Sequence, residues 1–182
     1  MSKRLLILGA GGYGRTVAEA AFMTQEWVIV HFLDDAYVEG DAANIVDNLD
    51  QIEALAANYD GVLCAIGNNK IRVLALKRLM SIGVIPATVI HPRAYVSPRA
   101  SVGVGTTVMA GAVIGPNARV GQGCILNANA TADHDSVMHD YAHLGVGVAI
   151  AGSAVLEEGA WLQVGRSAGV IPPFFETVIR RS

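Results

Sequence analysis

Three histidines, His134, His139 and His143, lie within ten residues of one another in a region with few other titratable side chains. Carboxylates at Asp133 and Asp135 flank the first of them. Imidazole has an unperturbed pKa near 6.5, so it can accept a proton at neutral pH, for example from an amine that attacks a thioester. A neighbouring carboxylate can fix the tautomer, and glycine-rich backbone can donate to an oxyanion. The residues alone leave two interpretations of His134, a general base or a solvated turn residue.

A second group of residues suited to ligand chemistry lies near the N-terminus. The loop Gly9-Ala10-Gly11-Gly12-Tyr13-Gly14 follows the short apolar run Lys3–Leu8, and helix-forming residues follow it from 15 to 23. Another apolar run, Trp27–Leu33, ends in Asp34 and Asp35. This order of strand, glycine loop, helix, strand and acid is the dinucleotide-binding fingerprint, in which backbone approaches a phosphate at a helix N-terminus. The alternative is that the glycines only form a tight turn.

The chain between these two groups completes a small α/β domain. The pattern predicts a helix over 50–58, a strand over 61–66 and a helix over 70–82 whose apolar side chains include Ile71, Leu74, Leu79 and Ile82. Gly67, Asn68 and Asn69 lie between the last two elements and are expected at the same crevice as the glycine loop. We assign residues 1–88 to this Rossmann-like domain. It is too short for a dinucleotide fold plus a substrate domain, which argues against a nicotinamide dehydrogenase.

The second half of the chain repeats every six residues. From Ile90 to Leu162, thirteen consecutive hexads open with an aliphatic residue, Met or Ala, and their fifth positions, from Ala94 to Arg166, are almost all small. This period predicts a parallel β-helix of hexapeptide repeats over 89–171, with a C-terminal tail over 172–182. Three hexads would form one coil, as in known proteins of this type. So short a solenoid leaves exposed faces, so self-association is expected.

Composition narrows the classes of partner. The protein has 182 residues, of which 16% are charged and 52% hydrophobic, a composition that excludes intrinsic disorder. Its net charge of −3 provides no positive electrostatic potential to attract nucleic acid or an anionic membrane. Cys64 and Cys124 lack metal-ligand spacing and are expected in the core. No apolar run is long enough to cross a bilayer, and residues 1–8 lead into the glycine loop and not into a signal-peptide cleavage site. We expect a cytoplasmic protein without a metal.

The motifs LLILGAGGYG, DD, IGNNKIR and ADHDS, followed by hexapeptide repeats, together resemble the sialic acid and bacillosamine type of sugar O- and N-acetyltransferases. The resemblance covers nearly the whole chain. It implies a homotrimer of left-handed β-helices that transfers acetyl from acetyl-CoA to a sugar in polysaccharide biosynthesis. In one branch of the family the acceptor is the 4-amino group of a UDP-linked deoxysugar.

The resemblance also assigns residues. His134 becomes the general base, with Asp135 where many members have glutamate, and His143 and Gly152 fall at the acetyl-CoA site. The nucleotide-sugar positions fall in the N-terminal domain, at Gly11, Gly12, Tyr13, Asp34, Asp35, Gly67, Asn68 and Arg72. The chain departs from the family pattern in two places. Tyr13 stands where histidine is frequent, and the stretch that follows His143 is about one coil shorter than usual.

Two other functions compete with acetyl transfer. A zinc-dependent hydratase would use His134, His139 and His143, but their hexad positions differ. A trimer that binds nucleotide sugars without catalysis would follow if the shortened β-helix held no CoA. The sequence names neither the sugar nor the nucleotide, and it does not decide between nitrogen and oxygen as the acceptor atom.

Overall fold

The computed structural model describes residues 3–36, 38, 44–165, 167–168 and 178–179. The chain divides into two compact units, Met1–Val89 and Ile90–Ser182. Arg166 and the predicted tail over 172–182 lie outside the described residues, apart from the strand Val178–Ile179.

The first unit is a four-stranded parallel sheet with the strand order β3-β2-β1-β4. The chain order is β1 (Lys3–Leu8), α1 (Gly12–Met23), β2 (Trp27–Leu33), β3 (Ile45–Asp47), α2 (Ile52–Leu55), β4 (Gly61–Cys64) and α3 (Asn69–Ser81). The predictions for β1 and β2 are confirmed to the residue. Leu5 to Leu8 are fully buried, as expected for a central strand of a parallel sheet.

Three details of this unit differ from the prediction. The helix predicted over 50–58 is one turn of α-helix, α2, between two short 3-10 turns, Leu49–Gln51 and Ala56–Asn58. The strand predicted over 61–66 ends at Cys64. The third difference is a strand, β3, that the sequence pattern did not indicate, because three residues at a sheet edge are too few to show a period.

Of the four apolar side chains predicted on α3, only Leu79 is buried, and Ile82 lies just beyond the end of the helix. Ile71 and Leu74 are 49% and 69% exposed, whereas Arg72 is completely buried along with Ala75, Leu76 and Leu79. The buried face of the helix therefore contains Leu76 and Leu79 and leaves Ile71 and Leu74 in solvent. A buried arginine on that face cannot be read from hydrophobic periodicity, because its burial depends on hydrogen bonds from its guanidinium.

The glycines of the first loop have distinct structural roles. Gly9 has φ of 101°, a conformation that side chains other than glycine rarely adopt, so it makes the sharp turn after β1. A Cβ on Gly14 would overlap the carbonyl oxygen of Gly9, so this glycine lets α1 approach β1 closely. Gly11 meets no atom within 4 Å of its missing Cβ and leaves open space at the helix N-terminus. These are the three roles that the dinucleotide-binding fingerprint requires.

The second unit is a parallel β-helix, and with it the predicted fold class is confirmed. Its strands have two residues each and form three faces. Strands on the same face pair at a spacing of 18 residues, as in Arg119↔Val137, except for the last pair of one face, Val155↔Val178, which is more widely spaced. Face 1 contains β5 (Val89–Ile90), β8 (Thr107–Val108), β11 (Ile125–Leu126), β14 (His143–Leu144) and β17 (Trp161–Leu162). Face 2 contains β6 (Tyr95–Val96), β9 (Val113–Ile114), β12 (Thr131–Ala132), β15 (Ala149–Ile150) and β18 (Ser167–Ala168). Face 3 contains β7 (Ser101–Val102), β10 (Arg119–Val120), β13 (Val137–Met138), β16 (Val155–Leu156) and β19 (Val178–Ile179).

The hexad pattern explains the interior of this unit. First-position side chains from Val108 to Leu156 and the small fifth-position side chains between them form one buried core. Cys124 occupies one of the small positions and is fully buried, as predicted. Burial raises the pKa of the other cysteine, Cys64, to about 11, which disfavours its thiolate. Both thiols are buried, so neither is placed for nucleophilic attack on a substrate.

At each of the three corners of the β-helix, the fourth hexad position has a positive φ in successive coils. Non-glycine residues with positive φ recur there at 18-residue spacing, for example Asn117 at 61°, Asp135 at 57° and Ser153 at 62°. Glycine, or Asn and Asp with their tolerance of this conformation, is favoured at such positions. Consecutive coils therefore stack the same corner residues on one another, and these stacks position the polar side chains described below.

None of the helices that the structure describes is both long and apolar enough to cross a bilayer.

Candidate functional site

His134 lies on the turn at the corner between face 2 and face 3, after β12 and before β13. The turn is held by local hydrogen bonds: the backbone N–H of His134 donates to Asp133 Oδ1 at 2.7 Å, and the hydroxyl of Ser136 donates to the Asp133 carbonyl at 2.6 Å. The side chain of His134 is 58% exposed, so solvent or a substrate can reach its imidazole.

Asp135 is the partner of this imidazole. Nδ1 of His134 lies 2.9 Å from Asp135 Oδ2. An ionised carboxylate can only accept, so Nδ1 carries the proton and Nε2 is left as the basic atom of the neutral ring. The hydrogen bond to Asp135, with the charge of Asp133, raises the pKa of His134. The predicted pair of base and supporting carboxylate is therefore assembled by adjacent residues of one turn.

Gly152 lies directly against the ring of His134, one coil further along the chain. A Cβ built on Gly152 would overlap both Cε1 and Nε2 of the imidazole. The φ of Gly152 does not lie in the left-handed region, so the glycine is required here for space and not for its backbone conformation. The family resemblance predicts Gly152 at the acetyl-CoA site, and in the structure Gly152 also contacts His134.

This contact gives a sharp prediction for Gly152→Ala. The overlapping atoms belong to the end of a flexible side chain, so the fold should tolerate the methyl group while the imidazole leaves its position. We expect kcat to fall by more than about 10-fold, since small displacements of catalytic groups are costly, with an unchanged melting temperature. In a His134→Ala background the same methyl group should have no further effect on kcat. A further loss in that background would show that Gly152 acts on something other than His134.

His143 lies on face 1, at the start of β14, and is 6% exposed. Its ring stacks on Trp161 of the next coil, with centroids 5.1 Å apart and an angle of 8° between the planes. The two rings line a cleft of about 310 Å³ together with Asn127, Gly145, Val146, Gln163 and Val164. Two exposed valines, Val146 and Val164, give one side of this cleft an apolar surface. Asn127, Trp161 and Gln163 were not predicted from the sequence.

The two histidines lie on opposite sides of the β-helix. His134 is at the corner where faces 2 and 3 meet, and His143 is on face 1, the face opposite that corner of the three-sided coil. One β-helix therefore presents them in different directions. His139 is exposed and lies on neither site. No group of three metal-ligating side chains forms among the described residues, so the three histidines are not brought together in one protomer.

In the first unit, the open side of the glycine loop is formed by Gly11 and Gly12. A Cβ added to Gly11 or to Gly67 would have no neighbour within 4 Å. A Cβ added to Gly12 would have one, the end of the Arg15 side chain at 4.0 Å. All three glycines follow the carboxyl ends of β1 or β4, which are neighbouring parallel strands. Ligands of open parallel sheets bind at this edge. Tyr13 is half-buried on the first turn of α1.

The two acids after β2 have different roles. Both carboxylate oxygens of Asp34 are engaged, one by the N–H of Ala10 at 2.6 Å and the other by the N–H of Ala36 at 2.9 Å. Asp34 thus ties the glycine loop to the end of β2. Asp35 is exposed and accepts one bond, from the N–H of Leu49 at 3.2 Å. Of the two, Asp35 is the carboxylate better placed to accept a hydrogen bond from a ligand.

Asn68 and Arg72 shape the second loop. The side chain of Asn68 caps α3 by accepting from the N–H groups of Lys70 and Ile71. The guanidinium of Arg72 is fully buried and donates to the carbonyls of Ile66 and Gly67 at 3.2 and 3.3 Å. These hydrogen bonds orient the loop between β4 and α3.

Comparison with known proteins places this arrangement in the class of hexapeptide-repeat acyltransferases. The model of the PglD N-terminal domain family matches residues 4–79. The acetyltransferase domain of PglB from Neisseria gonorrhoeae, solved with acetyl coenzyme A, is 28% identical over 98% of this chain and 94% of its own, with a TM-score of 0.78. PerB from Caulobacter crescentus, solved with CoA and GDP-perosamine, is 30% identical over 91% of this chain and 79% of its own, with a TM-score of 0.83.

WeeI from Acinetobacter baumannii has the same fold at 17% identity, with a TM-score of 0.73 over 91% of this chain and 92% of its own. The protein belongs to the bacillosamine-type family of sugar acetyltransferases, and it is an acyltransferase.

Proposed function

We propose that the protein transfers the acetyl group of acetyl-CoA to an amino group of a nucleotide-linked sugar, with His134 as general base. The observation that carries the proposal is the His134–Asp135 pair on an exposed turn, in a chain with a fingerprint glycine loop and a hexapeptide β-helix. A protonated Nδ1 held by Asp135 leaves Nε2 free to take the proton as nitrogen attacks the thioester carbonyl. The sugar nitrogen gains the acetyl group, and CoA leaves as the thiol.

The cleft at His143 is the proposed acetyl-CoA site. It combines an apolar wall with the polar side chains of Asn127, His143 and Gln163, a mixture that suits an amide-containing arm ending in a thioester. PglB supports a donor site in a β-helix of this length, because the present chain covers 94% of a domain that was solved with acetyl coenzyme A. This similarity weighs against a trimer that only binds nucleotide sugars.

The proposed acceptor site is the glycine loop of the first unit. Gly11, Gly12 and Gly67 leave room for backbone to approach a phosphate, and Asp35 can accept from a ribose or base. PerB, solved with GDP-perosamine, supports a nucleotide-linked sugar as the acceptor. Tyr13, Asp34, Asn68 and Arg72 complete the proposed site, the last three by holding its two loops. A UDP-linked 4-amino sugar is the acceptor that we propose, in a homotrimeric cytoplasmic enzyme.

A panel of acceptors tests the function directly. UDP-, GDP- and dTDP-linked 4-amino sugars, with the corresponding hydroxyl sugars, would be incubated with acetyl-CoA while the released thiol is measured. We expect thiol release with an amino sugar and its loss in His134→Ala. Release only with hydroxyl sugars would identify an O-acetyltransferase. Binding of nucleotide sugars without any thiol release would identify the non-catalytic alternative, and activity that disappears with a chelator would favour the zinc enzyme.

Asp35→Ala separates the two substrate sites. Because Asp35 lies by the glycine loop, its loss should raise the KM for the acceptor by about 10-fold or more while the KM for acetyl-CoA stays constant, as expected when binding to one substrate is removed. Asp50→Ala is the matched control, since Asp50 has a 92% exposed side chain in the same unit and the same charge is lost. Equal effects of Asp35→Ala on both KM values would contradict an acceptor site at the loop.

A further inference from the structure

Asn117 occupies the same corner position as Asp135, one coil earlier in the β-helix. Both residues have positive φ, 61° and 57°, so their side chains leave the backbone in the same direction and lie one above the other. Nδ2 of Asn117 donates to Asp135 Oδ1 at 2.9 Å. This hydrogen bond joins neighbouring coils and links Asn117 to the turn that holds His134.

The bond occupies the oxygen of Asp135 that His134 does not use. Asp135 Oδ1 accepts from Asn117, and Oδ2 accepts from Nδ1 of the imidazole at 2.9 Å. A carboxylate held at one oxygen can still rotate about its last side-chain bond, whereas one held at both oxygens is fixed. The amide of Asn117 therefore determines how Asp135 is presented to the imidazole.

We infer that Asn117 is a positioning residue for acetyl transfer, which fixes Asp135 so that Nε2 of His134 faces the substrate from a defined place. The inference rests on the proposed role of His134 as general base. Asn117 donates to Asp135 in the chain Asn117–Asp135–His134, and so acts through the carboxylate. The absent side chain of Gly152 leaves room for the imidazole in the position that these hydrogen bonds define.

The electrostatics of the corner agree with this role. The hydrogen bond from Asn117 is the largest cause of a lowered pKa of Asp135, followed by the bond with His134, and the charge of Arg99 acts in the same direction. Asp133 and Asp135 are the acids that raise the pKa of His134. An ionised Asp135 keeps the proton of the neutral ring on Nδ1.

The turn itself does not need an asparagine amide. At another corner, the same hexad position is filled in successive coils by Gly111, Asn129 and Gly147, all with positive φ. Glycine is therefore sufficient for this backbone conformation. Asn129, with φ of 58°, provides a matched reference for Asn117, because it has the same side chain and conformation at a corner that does not carry His134.

The test compares Asn117→Gly with Asn129→Gly. The His134 imidazole would be titrated by NMR in both variants, with His134→Ala used to assign its signal. In Asn117→Gly we expect the pKa of His134 to fall toward its ordinary value, because Asp135 is no longer held against the ring. The kcat should fall by about 10-fold, less than the loss expected on removing the base itself, while both KM values stay constant. Asn129→Gly should change neither the pKa nor kcat.

Each result is decisive. An unchanged pKa of His134 in Asn117→Gly, or a raised one, would overturn the positioning role. A raised pKa would mean that the amide only competes with the imidazole for the Asp135 carboxylate and does not hold it in place. Equal changes in both variants would assign the effect to the turn backbone. The titration needs no substrate, so its outcome is independent of the proposed function, which fails instead if His134→Ala retains full activity.

Discussion

Replacement of His134 by alanine should lower kcat by roughly 10²–10⁴-fold, the usual contribution of a general base. The imidazole is exposed at a corner and packs against Gly152, so its removal should leave the core of the β-helix and the melting temperature unchanged. The KM for both substrates should change little, because the base acts on a proton that moves only during reaction. Steady-state kinetics and a thermal melt measure all three quantities.

The pH profile of the unmodified enzyme provides the internal control. The base must be neutral to act, and Asp135 and Asp133 raise the pKa of His134 above 6.5. Activity should therefore fall with decreasing pH through this raised pKa, at a higher pH than an unperturbed imidazole would give. The acid limb should disappear from the residual activity of His134→Ala. A variant with full activity, or one with an unaltered acid limb, would show that another group accepts the proton.

The elements with a strict period could be predicted from the sequence. The six-residue repeat predicted the strands of the β-helix from β5 to β17, because only one inward position per hexad can hold a large aliphatic side chain. The strand β19 lies in the segment predicted as a C-terminal tail, beyond the last regular hexad. The runs Lys3–Leu8 and Trp27–Leu33 were equally clear, since strands buried on both faces are continuously apolar. On α3 the same reasoning failed in part. Leu79 is buried, but Ile71 and Leu74 are exposed and the buried face contains Arg72, which hydrophobic periodicity does not indicate.

The site was predictable only in part, for a geometric reason. His134 and Asp135 are neighbours in sequence, so their pairing could be anticipated. Gly152 and Asn117 contact that pair from adjacent coils, 18 and 17 residues from His134. Their contacts follow from the number of residues in a coil, together with the positive φ that Asn117 and Asp135 share. A search at 18-residue spacing on either side of a candidate residue would have found both. The engagement of Asp34 with the loop backbone has no comparable signal.

The arrangement of the two histidines has a consequence for assembly. His134 lies at the corner opposite face 1, and His143 lies on face 1, so one β-helix cannot direct both side chains at the same acetyl group. A second copy can bring its own face 1 to that corner. In a cyclic trimer the same contact would repeat three times, and each site would take His134 from one subunit and His143 from its neighbour.

Mixed trimers test this arrangement. His134→Ala and His143→Ala subunits should each have only residual activity alone, and after exchange at equal amounts some interfaces should regain both histidines. For random mixing about one site in four is restored, so about a quarter of the unmodified activity is expected. Exchange would be verified with a differently tagged subunit, and a mixture of His134→Ala with itself gives the baseline. If activity stays at that baseline although mixed trimers have formed, the two histidines either act within one chain or do not act in the same reaction.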